Sequence, residues 1–314
     1  MDKLNLRNFQ EAGQAVLQFL HQRFGFNLWM ITRVEGKDWI VLQSEDHGYD
    51  IHPGQVFHWA DSFCSHMVLG KGPKIAPRSE DIPLYASAPI NQLVNIKSYI
   101  GQPLINEDGS LFGTLCAIDP LPKSENIAQD IIMIELFGDL LSKILQADLR
   151  QNQQIRLHER LQLEASSDVL TGLYNRRAWE RLLITEEERC KHYGVSAAIF
   201  FIDINDLKKV NDNLGHVAGD QIIRQAANVL RNNLRSNDIV ARLGGDEFVV
   251  LSVETNQDEA EILFKRLMAA FKEVQISIAI GFAIRHPSQG LVEAAAQADQ
   301  NMYIHKRQIK MLSL

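Results

Sequence analysis

Asp203 and the adjacent pair Asp246-Glu247 are the side chains of this sequence best placed to do chemistry. Gly244-Gly245-Asp246-Glu247 stands between the apolar runs Ile239-Val240 and Phe248-Val249-Val250-Leu251. Two glycines between strand-like runs predict a tight hairpin, because both central positions accept φ > 0. Their missing side chains also let a phosphate approach the backbone. Asp246 and Glu247 then sit at the hairpin tip on alternate faces, so at least one carboxylate projects toward whatever binds there. Upstream, the apolar run Ala197-Ala198-Ile199-Phe200-Phe201-Ile202 reads as a buried strand ending in Asp203-Ile204-Asn205. A carboxylate at the end of a central strand, facing another on a neighbouring hairpin, is a divalent-metal arrangement. Two such charges about 4 Å apart repel by roughly 4 kcal/mol at an intermediate dielectric, so a cation or a proton must lie between them. Oxygen ligands without Cys or His nearby favour Mg²⁺ or Mn²⁺, which keep positions open for substrate phosphates. An ordinary exposed turn uses the same residue types, so the remaining elements decide.

The order of elements in the C-terminal half would bring the two acidic sites together. Apolar spacing predicts a helix at 176–192, a strand at 197–204 and a helix at 218–234, whose face carries Ile222, Ala226, Val229, Leu230 and Leu234. Hairpin strands at 239–243 and 247–252 follow, then a helix at 258–272 and a strand at 275–284. From the first strand this reads β-α-β-β-α-β, the ferredoxin-like split arrangement. Nearer the start, residues 4–24 form an amphipathic helix with Val16, Leu17, Phe19 and Leu20 as its stripe. Strands are expected at 26–32, 39–42, 99–105 and 111–118, the last two joined by a hairpin at Asn106-Glu107-Asp108-Gly109-Ser110. Residues 44–95, rich in Pro, Gly, Ser and His, are too long for a simple connection and read as a binding loop or lid. From Glu125 to about Ser166 the chain reads helical. Ile134, Phe137, Leu141 and Ile144 there follow a short coiled-coil spacing, suited to a joining helix or to one that packs against its twin in a dimer.

With 314 residues, 46% of them hydrophobic, the chain can bury two ordinary cores. A formal charge of −7 argues against a general nucleic-acid or anionic-membrane binder. The start, Met1-Asp2-Lys3-Leu4-Asn5, has no signal-peptide pattern. The most apolar long stretch, 131–145, is interrupted by Glu135, Asp139 and Lys143, so no membrane span is expected. Cys64, Cys116 and Cys190 lack a metal-ligand spacing, and so sparse a count suits a reducing cytoplasm, the expected location.

The second half of the chain resembles the GGDEF-domain diguanylate cyclases, and the first half resembles GAF sensory domains. The GGDEF resemblance covers about 166–314 and rests on an ordered series of motifs. Asp168-Val169-Leu170-Thr171-Gly172-Leu173-Tyr174-Asn175-Arg176-Arg177 comes first, then the segment from Asp203 through Asn211, Gly215, His216 and Gly219 to Asp220. The signature Gly244-Gly245-Asp246-Glu247-Phe248, Ser277-Ile278-Ala279-Ile280-Gly281, and Ala298-Asp299 through Tyr303 to Lys306 complete it. The GAF resemblance rests on Ser98 to Leu104 and Asp108 to Ala117. The resemblances imply an α/β (α+β) chain in three parts. These are a GAF-like sheet-and-helix sensory domain over 1–124, a linker signalling helix over 125–165, and a ferredoxin-like, palm-type nucleotide cyclase domain over 166–314.

The implied reaction condenses two GTP into cyclic di-GMP with release of two pyrophosphates, each 3′-hydroxyl attacking the α-phosphate of the other nucleotide. Asp203, the carbonyl of Ile204 and Asp246 would hold Mg²⁺ (or Mn²⁺), with Glu247 a further ligand, and Asp246 would accept the hydroxyl proton. Asn211 and Asp220 would read the guanine, with His216 beside them. Lys208, the backbone at Leu207, and Lys306 would bind the β- and γ-phosphates. Arg235-Ser236-Asn237-Asp238 stands where the family carries its RxxD product-inhibition site, and Arg266 falls near a second family arginine. One domain holds one GTP, so the single copy here implies a homodimer. Asn205 replaces the family's usual acid and Leu207 its usual Phe. Ile309-Lys310 stands in place of the closing Gly-Arg, so Lys310 keeps the charge but loses bidentate phosphate geometry.

A catalytically silent receptor binding cyclic di-GMP through Arg235 and Asp238 is the alternative reading; the intact acidic residues argue against it. The GAF half leaves its ligand open, an unknown small molecule or none. Cys64 lies near an expected pocket but lacks the Cys-His of bilin attachment and reads as a buried structural cysteine. His47, His52, His58 and His66 are spaced as loop residues. Trp29, Trp39 and Trp59 read as core aromatics.

Overall fold

Apolar runs and well-placed turns build two sheets in the computed structural model, which describes residues 7–162 and 166–312. The chain divides into two units, the first running to Arg156 and including Lys191–Gly194, the second formed by the rest.

The first unit opens with α1 (Phe9–Phe24), which begins where Asn8 caps the Glu11 N–H and ends at Gly25 in the left-handed conformation. Phe9, Ala12, Leu17 and Leu20 form its buried face, whereas Phe19, expected on that stripe, is 47% exposed. Residues 4–6 of the expected helix lie outside the described residues. The sheet contains β1 (Leu28–Glu35), β2 (Asp38–Asp46), β3 (Val56–His58), β4 (Ile75–Ala76), β5 (Ser98–Ile105) and β6 (Leu111–Asp119), in the order β3-β2-β1-β6-β5-β4. All of its pairings are antiparallel. The 44–95 segment is not a simple loop: it supplies β3, β4 and the short helices α2 (Phe63–Val68) and α3 (Pro83–Ala86). Leu28, Met30, Trp39, Phe63, Tyr85, Tyr99 and Ile118 pack together beneath them.

The helix α4 (Ile131–Gln162) follows a 3₁₀ segment at Glu125–Asp130. The early part of this helix, expected to be a linker, packs into the first unit. Ile134, Leu141 and Leu145 are fully buried, Phe137 meets Phe19 at 5.5 Å between ring centroids, and the Ile105 N–H donates to Ser142 Oγ at 3.1 Å. The spacing read as an intermolecular seam is therefore taken up within the unit. A different stripe, Ile132, Leu136 and Leu140, is exposed at 76%, 55% and 46%. Among the described residues, no helix is long and apolar enough to cross a membrane.

In the second unit the sheet runs β11-β8-β10-β9-β7. Its members are β7 (Tyr174–Asn175), β8 (Ala197–Ile204), β9 (Ile239–Gly244), β10 (Glu247–Val253) and β11 (Ile278–Ile284). β8 to β11 take the ferredoxin-like order, with β8 between β10 and β11, and β7 adds a short parallel edge beside β9. The helices are α5 (Arg176–Tyr193), α6 (Leu207–Leu214), α7 (His216–Asn233), α8 (Gln257–Glu273) and α9 (Gly290–Leu312). β8 is buried on both faces. Phe200, Ile202 and Ile204 pack with Phe248, Ile223, Leu230 and Leu267, while Ala197 and Ile199 pack with Leu182, Val249, Leu291 and Ala298. That two-sided burial explains the continuous apolar run. α8 begins with a capping box, Asn256 and Glu259 each bonding the other's backbone N–H at 3.0 Å.

Two helices differ from the sequence reading. The crossover after β8 is split into α6 and α7 at Gly215, whose φ of +81° suits glycine. The last helix, α9, lies so close to β11 that a Cβ on Gly281 would stand 2.0 Å from Met302 N and 2.5 Å from Ala298 O. Gly281→Ala should therefore push α9 off the sheet at a cost of about 1–3 kcal/mol. A thermal melt should show a lower midpoint; an unchanged one would mean that α9 does not seat against Gly281.

Candidate active site

The two acidic sites meet at one edge of the second unit. Asp203 is the penultimate residue of β8, and the β9–β10 hairpin turns beside it, with Glu247 directly opposite Asp203 in the β8–β10 ladder. Gly244 pairs with Glu247, so Gly245 and Asp246 are the turn itself, Gly245 having φ of +51°. The Ile204 N–H donates to the Asp246 carbonyl at 3.1 Å, which fixes the turn to the end of β8. Asp203 is 4% exposed, Asp246 half-buried and Glu247 exposed, with Arg176 Nη2 4.0 Å from the Glu247 carboxylate.

Asp203 carries the electrostatic load of the site. Burial foremost, joined by the negative charge of Asp246, raises its carboxyl above the ordinary value, against the opposing pull of Lys306 and Lys310. Lys306, reaching in from α9, places Nζ 2.7 Å from both carboxylate oxygens but hydrogen-bonds only Oδ2. Oδ1 is buried without a hydrogen-bond partner. A buried carboxylate oxygen with an unused lone pair, beside a second carboxylate, fits a hard divalent cation. Among the described residues, no three His, Cys, Asp or Glu side chains form a metal-holding group.

Beyond Asp203 the backbone enters α6 through Asp206, at φ of +58°, a conformation that Asp tolerates better than most residues. Asn205 is held by Ser277 through its backbone and its side chain, both at 2.9 Å, so the amide that replaces the family acid has a partner of its own. No side chain caps the N-terminus of α6, where Leu207 is buried and Lys208 exposed. Across the α6–α7 turn, Asn211 Oδ1 is buried and unpartnered, and a Cβ on Gly219 would stand 1.9 Å from it. Asp220 is half-buried one residue on, and exposed His216 opens α7. Lys310 is exposed on the last turns of α9, yet its charge reaches Asp203.

Arg235 and Asp238 lie on the approach to β9. Asp238 is 8% exposed and its carboxylate accepts from the Arg235 N–H at 2.9 Å and the Ser252 hydroxyl at 3.0 Å. The exposed Arg235 guanidinium is 3.6 Å from Glu259 of α8. Arg266, also exposed, lies two turns further along α8, about 10 Å on at 1.5 Å per residue.

One structural role was not read from the sequence. Arg242 donates to the Gly245 carbonyl through Nε at 3.0 Å and Nη2 at 2.7 Å, and through Nη1 to Asp168 at 3.2 Å. Asp168 also accepts from the Thr171 N–H and hydroxyl at 2.9 and 2.7 Å. Burial alone would raise the Asp168 carboxyl, but Thr171 and Arg242 together hold it below its ordinary value. The Asp-x-x-Thr opening motif thus clamps the carboxylate turn from behind. The signal was present in Asp168, Thr171 and Arg242, but only the fold brings them together.

The sign of the Asp203 shift gives a stability prediction. A raised folded value favours folding while the group is protonated, and that contribution is lost as pH rises through it. Asp203→Asn should therefore melt at the same or a higher temperature than the unchanged protein at pH 7, with the difference fading near pH ~3, where both states are protonated. A clearly lower midpoint at pH 7 would contradict the burial and repulsion described here.

The family model "Diguanylate cyclase, GGDEF domain" matches residues 165–311. The cyclic di-GMP phosphodiesterase NbdA of Pseudomonas aeruginosa is 42% identical over 122 residues, 39% of this chain and 16% of NbdA. The diguanylate cyclase DgcP of Escherichia coli is 28% identical over 221 residues, 69% of this chain and 64% of DgcP. The diguanylate cyclase DgcS of Shewanella oneidensis is 30% identical over 182 residues, 56% of this chain and 58% of DgcS. This chain spans less than two thirds of each of these relatives. The crystal structure of the GGDEF domain of DgcB from Caulobacter crescentus in complex with c-di-GMP is 26% identical, covers 46% of this chain and 91% of that one, and has a TM-score of 0.44. Residues 165–311 of this chain are a GGDEF domain of the diguanylate cyclase type.

Proposed function

We propose that this protein is a diguanylate cyclase, condensing two GTP molecules into cyclic di-GMP with release of two pyrophosphates. The observation that carries the reading is the buried Oδ1 of Asp203, which lies beside Asp246 without a hydrogen bond, with Lys306 Nζ paired to both oxygens of that carboxylate. Asp203, the Ile204 carbonyl and Asp246 would hold Mg²⁺ or Mn²⁺, with Glu247 available at the rim. Such an ion, when bound, supplies positive charge to the triphosphate and eases ionisation of the attacking hydroxyl. Lys306 would exchange Asp203 for a triphosphate oxygen, and the uncapped N–H groups at Leu207 and Lys208 would receive the outer phosphates. Lys310 would add charge without the fork of an arginine. Asn211 and Asp220, with His216 near, would select guanine through a donor pattern that adenine lacks. Asp246 would take the proton of the attacking 3′-hydroxyl.

Each domain would contribute one GTP, so the active form would be a homodimer; the exposed stripe Ile132, Leu136 and Leu140 is the face of α4 suited to it. The first unit would act as a GAF-type sensor in a cytoplasmic enzyme, with product inhibition through Arg235, Asp238 and Arg266. Exposure of Arg235 and Arg266 leaves both guanidinium groups accessible to phosphate or guanine, while Asp238 would anchor the loop that carries Arg235.

Incubation of the whole chain with GTP and Mg²⁺, followed by chromatography, should show cyclic di-GMP and pyrophosphate. No product across a wide range of protein concentration would overturn the reading. Asp246→Ala should reduce synthesis at least a hundredfold with the thermal midpoint kept; turnover within a few fold of the unchanged protein would remove Asp246 from the site. Arg235→Ala should raise the product concentration needed for half-inhibition by about tenfold, equivalent to ~1.4 kcal/mol. Identical product sensitivity would exclude that arginine from inhibition.

A further inference from the structure

Directly after Asp203 and Ile204, the chain is tied twice to the start of β11. The β8–β11 ladder pairs Ile204 with Ile278 and goes no further. Beyond that pair, the Asn205 N–H donates to the Ser277 carbonyl at 2.9 Å. The Asn205 side-chain amide donates to the Ser277 hydroxyl, also at 2.9 Å. The next residue, Asp206, has φ of +58° and turns the chain into α6. Pairing at the end of a ladder opens most easily. Two bonds between the same two residues close it.

The backbone bond also fixes a direction. The Ile204 carbonyl and the Asn205 N–H belong to one peptide group, which is planar and trans, so the two point opposite ways. β8 lies between β11 and β10. With the Asn205 N–H directed at Ser277 on the β11 side, the Ile204 carbonyl faces the β9–β10 hairpin. The Ile204 N–H, donating to the Asp246 carbonyl at 3.1 Å, points to that side as well. The carbonyl is thus turned toward the hairpin that carries Asp246, and backbone carbonyl oxygens are ligands that hard cations accept.

We propose that the Asn205 amide and the Ser277 hydroxyl are a latch that aims the Ile204 carbonyl at the cation shared by Asp203 and Asp246. Both are positioning residues, acting through the peptide between Ile204 and Asn205. This role rests on reading the site as a metal-dependent cyclase centre. An amide makes the latch without adding a third carboxylate near Asp203 and Asp246, whose charges already oppose each other. Partners that orient a ligand in this way govern metal affinity by roughly 10–100-fold. Ser277 is exposed and Asn205 half-buried, so the side-chain bond adds little to folding stability. Its effect belongs to the site.

The test measures Mn²⁺ affinity of the full-length protein by electron paramagnetic resonance, with a GTP analogue that cannot release pyrophosphate. Asn205→Ala and Ser277→Ala should each weaken Mn²⁺ binding about tenfold, with the thermal midpoint of the metal-free protein kept. The double variant should lose no more than either single change, because both remove one bond. Ser277→Thr retains the hydroxyl and Asn205→Asp retains a partner for it, so both should bind Mn²⁺ within a few fold of the unchanged protein. In synthesis assays the Mg²⁺ concentration for half-maximal turnover should rise about tenfold in the alanine variants, a shift that a merely structural bond would not produce. Equal Mn²⁺ binding by the unchanged protein and both alanine variants would overturn the latch. So would losses that add in the double variant, or that come with a lowered midpoint. Loss of Mn²⁺ in the alanine variants, when the unchanged protein makes no cyclic di-GMP, would instead remove the cyclase reading and leave the latch standing.

Discussion

The second unit is organised around an unfavourable contact: two carboxylates, Asp203 and Asp246, held together with one of them nearly removed from water. Burial and repulsion both oppose ionisation at Asp203, and a positive charge must relieve them. Lys306 supplies that charge from 2.7 Å of both oxygens, donating to Oδ2 and leaving Oδ1 buried without a hydrogen bond. The surrounding fold keeps these groups from separating. β8 ends in a core buried on both faces, so Asp203 cannot swing outward without disturbing it. The Ile204 N–H and the Arg242–Asp168 clamp hold the Asp246 turn from two sides. Gly281 lets α9 approach closely enough for Lys306 to reach in.

The same constraint explains why much of this unit was legible in the sequence. A strand buried on both faces must read as an unbroken apolar run, and a two-residue turn needs glycine where φ is positive, so β8 and the β9–β10 hairpin could be drawn closely. Ferredoxin-like order followed from the succession of periods. α6 was harder to read, because its repeat consists of Leu207, Val210 and Leu214 alone, in a span of only eight residues. The clamp formed by Asp168 and Arg242 could not be seen locally, since its members are far apart in the chain and meet only through the β7–β9 pairing.

In the first unit the main strands followed from apolar runs and a hairpin signal, but helix faces did not. Phe19 and the stripe Ile132, Leu136 and Leu140 are apolar yet exposed, whereas Ile134, Leu141 and Leu145 are buried. A helical repeat gives the width of an apolar face and not which part of it a sheet will cover. The 44–95 segment likewise hid α2 and α3, each too short to show a period. Those short elements matter to the core, since Phe63 of α2 stacks on Tyr85 of α3 at 4.6 Å between ring centroids.

Whether Asp203 and Asp246 share a cation with a bound nucleotide is open to direct measurement. Mn²⁺, titrated into the full-length protein with a GTP analogue that cannot release pyrophosphate, reports its own binding by electron paramagnetic resonance. One Mn²⁺ or more per chain should bind in the presence of the analogue, beyond what protein or analogue alone retains, and that gain should vanish in both Asp203→Asn and Asp246→Ala. An undiminished gain in either variant would contradict a cation held between these two carboxylates.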